Sequence, residues 1–195
     1  KSTYDKDFSE QYLEFFKSPD REIRRGIAEV IGSVGGKTAF TLLKRKIQTN
    51  SFTTYEEAAE ALCRIAGHHS IDTLKQVARM KNRADRMKAL ELLATPDYMR
   101  IRKRRALQAI FEFLEDPDDQ IRYKVITLIG DQGEYEDVEL LLPLLETEQK
   151  RNLLAVIDAI GKVGDGSCVS KLVPFMDEPH AGIKLSVIKA LGNFN

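Results

Sequence analysis

The sequence predicts an all-α protein, a right-handed α-α superhelical solenoid of about six two-helix repeats. Three observations carry this. An aliphatic-small dipeptide recurs at a near-constant interval, apolar residues with helical spacing flank it on both sides, and no stretch shows the alternating pattern of a strand.

The recurring dipeptide is Ile31-Gly32, Leu62-Cys63, Leu93-Ala94, Ile129-Gly130, Ile160-Gly161 and Leu191-Gly192, in steps of 31, 31, 36, 31 and 31 residues. A second small residue follows three positions later at Gly35, Ala66, Gly133 and Gly164, with Asp97 and Asn195 as departures. Such closely spaced small residues are expected at a tight corner between two helices.

The first helix of each repeat is marked by apolar pairs four and five residues before the small residue. These are Ile27-Ala28, Ala58-Ala59, Ala89-Leu90, Val125-Ile126, Val156-Ile157 and Val187-Ile188, and with the aliphatic residue at minus one they line one helical face. The second helix is marked eight and eleven residues after it, by Phe40 and Leu43, Ile71 and Leu74, Val138 and Leu141, and Val169 and Leu172. Helix starts are expected where a capping oxygen precedes a proline: Ser18-Pro19, Thr95-Pro96 and Asp116-Pro117. The five extra residues of the third repeat extend its second helix, which is expected to run from Pro96 to Glu115. Pro143 and Pro174, in the same phase of repeats four and five, each remove a backbone donor and are expected to kink their helices alike.

Two short helices cannot bury both apolar faces alone, so the repeats must stack into one array over residues 1–195. The reading places the end of a preceding repeat at 1–17, where Phe8, Tyr12, Leu13, Phe15 and Phe16 form a second helix. Full repeats follow at 18–50, 51–81, 82–115, 116–146 and 147–176, and an incomplete one at 177–195. A start at Lys1 and a sixth repeat stopping at its corner lead to the expectation of a piece of a longer array.

The pattern Asp118-x-x-x-Arg122-x-x-Val125-Ile126-x-x-Ile129-Gly130-x-x-Gly133, followed by Val138-x-x-Leu141-Leu142-Pro143, resembles HEAT repeats of the short phycobilisome-lyase type. That family holds scaffolds, chromophore lyases, DNA glycosylases and an iron-dependent hydroxylase, so the resemblance implies architecture and no single activity. In such repeats, second helices line the concave surface and conserved-phase arginines brace neighbouring loops. Arg24, Arg86 and Arg122, with Lys184 a weaker match, hold that phase, and Asp20 and Asp118 sit four residues before two of them.

Catalytic patterns are missing from the sequence. The glycines follow no strand and form no phosphate loop. His68, His69 and His180 are scattered without a Cys or carboxylate cluster at ligand spacing, so neither a metal nor a cofactor is expected. The iron hydroxylases of this fold carry repeated His-Glu pairs, and no His-Glu dipeptide occurs here. Cys63 and Cys168 read as small packing residues and not as reactive thiols. Their separation of 105 residues suits free thiols in a reducing compartment, and the cytoplasm is the expected location. No apolar run is long enough to span a bilayer.

Charge is balanced, 30 basic against 30 acidic residues, but it is unevenly placed. Residues 75–105 carry eleven Lys or Arg against three acids, and residues 112–148 carry twelve acids against two bases. Second-helix positions Lys44, Arg45, Lys75, Arg79, Arg100, Arg102, Arg104 and Arg105 are the expected partner-binding set, suited to a protein partner with an acidic segment. The alternative is that the basic and acidic segments pair with each other. Leu142 and Val173, beside the two prolines, are expected to leave an apolar strip on the second-helix wall. The function expected is a non-catalytic protein-protein interaction scaffold. The competing reading is a nucleic-acid-binding or repair protein like the HEAT-like alkylpurine DNA glycosylases, which the basic segment favours and the neutral total and lack of Trp oppose. A chromophore lyase is a third reading, for which no residue can be nominated.

Overall fold

The computed structural model describes residues 14–34, 41, 43–44, 57, 61–62, 68–79, 82–148 and 150–194. Among these residues there are helices, 3-10 turns and connecting turns, and no strand. The chain divides into two compact units, Lys1–Thr95 and Pro96–Asn195.

The first unit contains α1 (Arg21–Val34), α2 (His68–Ala78) and α3 (Arg83–Leu93). Helix α2 packs against α3, and Ile71, Leu74, Ala89 and Leu90 are buried, as their spacing requires. Asn82 caps α3 by accepting a hydrogen bond from the Ala84 amide at 2.9 Å.

The second unit runs α4 (Pro96–Phe111), α5 (Asp119–Gln132), α6 (Val138–Leu141), α7 (Leu144–Thr147), α8 (Lys150–Val163), α9 (Val169–Leu172) and α10 (Ala181–Asn193). Single 3-10 turns at Tyr135–Asp137 and Gly166–Cys168 lead into α6 and α9, and another at Val173–Met176 follows α9. Helix α8 is the centre of this unit, packed between α5 and α10. Its core includes Val125, Ile126, Ile129, Val156, Ile157, Ile160 and Val187. Both prolines interrupt their second helices: Pro143 separates α6 from α7, and Pro174 falls where α9 gives way to a 3-10 turn.

Several local expectations shift. The second helix of the third repeat ends at Phe111 and not at Glu115, because the chain tightens there: the Phe113 and Leu114 amides bond three residues back, to Ile110 and Phe111. Ser18 and Asp116 are not the caps of α1 and α5. Each accepts a hydrogen bond from the amide two residues on, and it is Asp20 and Asp118 whose carboxylates receive the Glu22 and Gln120 amides. The proline therefore sits in the approach turn, one residue ahead of the cap. Thr95 does precede a proline at the first helical position, yet its hydroxyl donates to the Leu92 carbonyl. Val169, expected in the core, is exposed.

In four repeats the first small residue is also not a corner, whereas Ala94 follows the last residue of α3. Gly32, Gly130, Gly161 and Gly192 lie inside the last turns of α1, α5, α8 and α10. Gly130 lets the next repeat's helix approach, since a Cβ there would stand 2.9 Å from the Cα and Cβ of Ala159. The second small residue does mark the corner: the Gly133 and Gly164 amides bond the Ile129 and Ile160 carbonyls, each at 2.7 Å, closing the helix. Cys63 and the corner histidines' side chains lie outside the described residues, and Cys168 is a buried free cysteine.

Candidate interaction surface

The arginines in the common repeat phase act as braces. Arg24 donates to the carbonyls of Ser18 at 2.9 Å and Pro19 at 3.0 Å, and to the buried carboxylate of Glu57 at 3.2 Å. Arg122 repeats the arrangement, bonding the Asp116 carbonyl at 2.7 Å and reaching Glu148 through both Nε and Nη2. Beside the Glu148 carboxylate, pairing raises the Arg122 guanidinium above its ordinary pKa, with the hydrogen bond to Glu148 the main cause. Asn152 closes this network by donating to Glu148 at 3.1 Å and to the Asp119 carbonyl at 3.0 Å. Arg86 bonds the Ala78 carbonyl at 2.9 Å. The Arg24 and Arg122 guanidiniums tie the entry loop of one first helix to the next repeat, a structural role, while Arg86 holds its helix to the end of the preceding one.

The basic set expected to meet a partner divides. Lys44 and Lys75 are half-buried, whereas Arg79 and Arg105 are exposed. Arg45 and the side chains of Arg100 and Arg102 lie outside the described residues. Arg104 is paired with Asp137, whose carboxylate is fully buried and also accepts the Glu134 amide at 2.9 Å. Its guanidinium lies 5.8 Å from the Phe111 ring centroid, and its pKa is raised, chiefly by the hydrogen bond to Asp137. Lys103 pairs with Glu134 at 2.9 Å. Part of the basic segment thus neutralises the acidic one.

Of the two residues expected to form an apolar strip beside the prolines, Leu142 lines a groove and Val173 is exposed outside its lining. This groove, of about 710 Å³, lies between the second helices of repeats four and five, with Leu142, Pro143, Pro174 and Phe175 in its lining and Glu139 and Glu146 among its charged residues. Val173, next to it, is 47% exposed, and Leu142 is half-buried. The repeat register builds this surface, because Pro143 and Pro174 are 31 residues apart and leave matched breaks side by side.

Residues 9–94 match the family of HEAT repeats. Over those residues the chain is similar to HEAT repeats. No curated protein matches the sequence. Among solved structures, the chain is similar to a designed armadillo repeat protein in complex with the peptide (KR)4, at 16% identity over 95% of this chain and 98% of that one, with a TM-score of 0.54. It is similar to an engineered protein at 15% identity, 95% and 96% coverage and a TM-score of 0.53. It is also similar to human deoxyhypusine hydroxylase in complex with glycerol, at 16% identity, 95% and 73% coverage and a TM-score of 0.51. At such identities the likeness establishes a HEAT/armadillo-like helical repeat fold. That fold is commonly a protein-interaction scaffold. Among the described residues, no cluster of three or more His, Cys, Asp or Glu is placed to hold a metal, and no helix is long and apolar enough to cross a membrane.

Proposed function

We propose that the chain is a non-catalytic protein-interaction scaffold in the cytoplasm, binding a partner segment along the wall of second helices, the concave side of a HEAT array. The observation that carries this is the groove between the broken second helices of repeats four and five, which offers apolar side chains beside charged rims, as peptide-binding surfaces do. The basic positions Lys44, Arg45, Lys75, Arg79, Arg100, Arg102, Arg104 and Arg105 are proposed to receive an acidic partner segment, with Arg104 contributing only what its bond to Asp137 leaves.

The test is capture of binding proteins from the native source at low and moderate salt, with and without nuclease, using the intact chain beside its Val173→Asp and Arg105→Glu variants. A protein that survives nuclease and is lost on Val173→Asp supports the groove as the site. Loss on Arg105→Glu, with weakening by salt, supports the basic set. Recovery that vanishes with nuclease overturns this reading for the nucleic-acid one, which the net charge of residues 75–105 favours.

A further inference from the structure

Many acids of the second unit are occupied in holding it together. Asp137 and Glu148 are buried and paired with Arg104 and Arg122, while Asp131 and Glu134 pair with Lys162 and Lys103. Glu139 and Glu146 differ. Both are exposed in the groove between the second helices of repeats four and five, and among the described residues neither carboxylate has an ion pair.

The walls of this groove come from the same element of successive repeats, yet they carry different chemistry. Glu139 and Glu146 stand on the wall formed by α6 and α7. Ser170 and Lys171 stand on the α9 wall, where the 31-residue register matches Ser170 to Glu139 and Lys171 to Leu140. A cation is therefore attracted along the first wall and repelled on the second. Between them lie the exposed rings of Pro143 and Pro174.

The spacing along the acidic wall is set by the backbone. Leu142 and Pro143 keep helical angles despite the break, with φ −56° and ψ −44° at Leu142 and φ −62° and ψ −26° at Pro143. The step from Glu139 to Glu146 is thus close to two turns, which puts both residues on one side of the wall, about 10 Å apart. A polyproline-II segment returns to the same face every third residue, after about 9 Å, and so meets that spacing. Its peptide groups are not bonded to one another, and Thr147 and Ser170 offer exposed hydroxyls in the lining.

We propose that this groove takes an extended segment of a partner protein in which two Lys or Arg residues, three positions apart, enclose an apolar side chain. The bases meet Glu139 and Glu146, and the apolar side chain enters between Pro143 and Pro174. This rests on the scaffold reading above and adds the chemistry of the segment, opposite in charge to the one proposed for the basic set.

The test is fluorescence anisotropy of labelled, end-capped peptides with the full chain. One probe has the core lysine-leucine-proline-lysine, and its control has glutamate at both lysines. The lysine probe should bind at least about tenfold more tightly, with the margin shrinking as salt is raised. Glu139→Gln together with Glu146→Gln should weaken it about tenfold, the size expected of two such charge pairs. Both glutamates are exposed, so the helical circular dichroism should not change. Lys171→Gln should tighten binding, which a folding defect would not do. Equal binding of the two probes overturns the proposal and leaves the scaffold reading standing. Binding of the lysine probe that ignores the glutamine pair overturns it too, because the site is then elsewhere. If neither probe binds, the proposal falls; a captured protein still lost on Val173→Asp would then keep the scaffold reading, and failure of both would end both.

Discussion

Gly161 and Ala190 touch so closely that a methyl group on residue 161 would stand 2.7 Å from both the Cα and the Cβ of Ala190. The nearest atoms include backbone, which cannot rotate away, so Gly161→Ala forces the helices apart. The expected cost is about 1–3 kcal/mol, larger than the helix propensity that alanine adds. Gly192→Ala, at the equivalent position with open space, should instead stabilise by up to about 1 kcal/mol. Denaturant midpoints of the two variants decide this, and a shift of the same sign in both would refute the stacking register.

Glu148 is the shared acceptor of Arg122 and Asn152. Glu148→Ala leaves the Arg122 guanidinium, which is largely buried, with the Asp116 carbonyl as its remaining partner among these bonds. The expected loss is about 2–3 kcal/mol, below the figure for a fully buried pair because Arg122 keeps some water. In a double-mutant cycle, adding Arg122→Met should cost much less than the sum of the single variants.

Asp137 joins a corner and an ion pair, accepting from the Glu134 amide and from Arg104. Asp137→Ala should destabilise the second unit by about 1–3 kcal/mol, because it leaves a backbone donor and a guanidinium without their acceptor. Arg104→Gln should also lower the melting temperature. Raising the salt should weaken the more exposed Lys103–Glu134 pair first, so that Lys103→Gln matters less in 1 M salt than at low ionic strength.

Asp165 caps the 3-10 turn Gly166–Cys168 by accepting the Ser167 amide at 2.8 Å, and bonding to Ser167 holds its pKa below the ordinary 3.8. The folded chain therefore binds this proton less readily than the unfolded one. The cap's contribution is fully present above the ordinary value and is lost as pH falls through the depressed one. Asp165→Asn should flatten that part of the stability profile below the ordinary carboxylate range, and an unchanged acid limb would count against it.

The 31-residue register and its two helices were legible because both rest on local chemistry: apolar spacing sets each face, and Pro143 and Pro174 stop their helices wherever they are placed. The bracing role of Arg24 and Arg122 was implied by the family resemblance, which their common phase matches. Their acceptors were not, since Glu57 lies 33 residues beyond its arginine and Glu148 only 26, offsets that share no period. The caps were misplaced by two residues because Ser18 and Asp116 have the same chemistry as the true caps, and only backbone direction separates an approach turn from a helix start.

By itself, then, the sequence determined that the protein is helical, that its units repeat, which faces are apolar and where its charge is segregated, because these follow from composition and spacing along the chain. Tertiary structure decided that Arg104 and Lys103 spend charge on Asp137 and Glu134, that the recurring glycines are seats for alanine, and that Ile188 is uncovered while Ile126 and Ile157 are buried. Each of these depends on which residue lies across a helix interface, and identical spacing produces a buried or an open face according to whether a neighbouring helix occupies it.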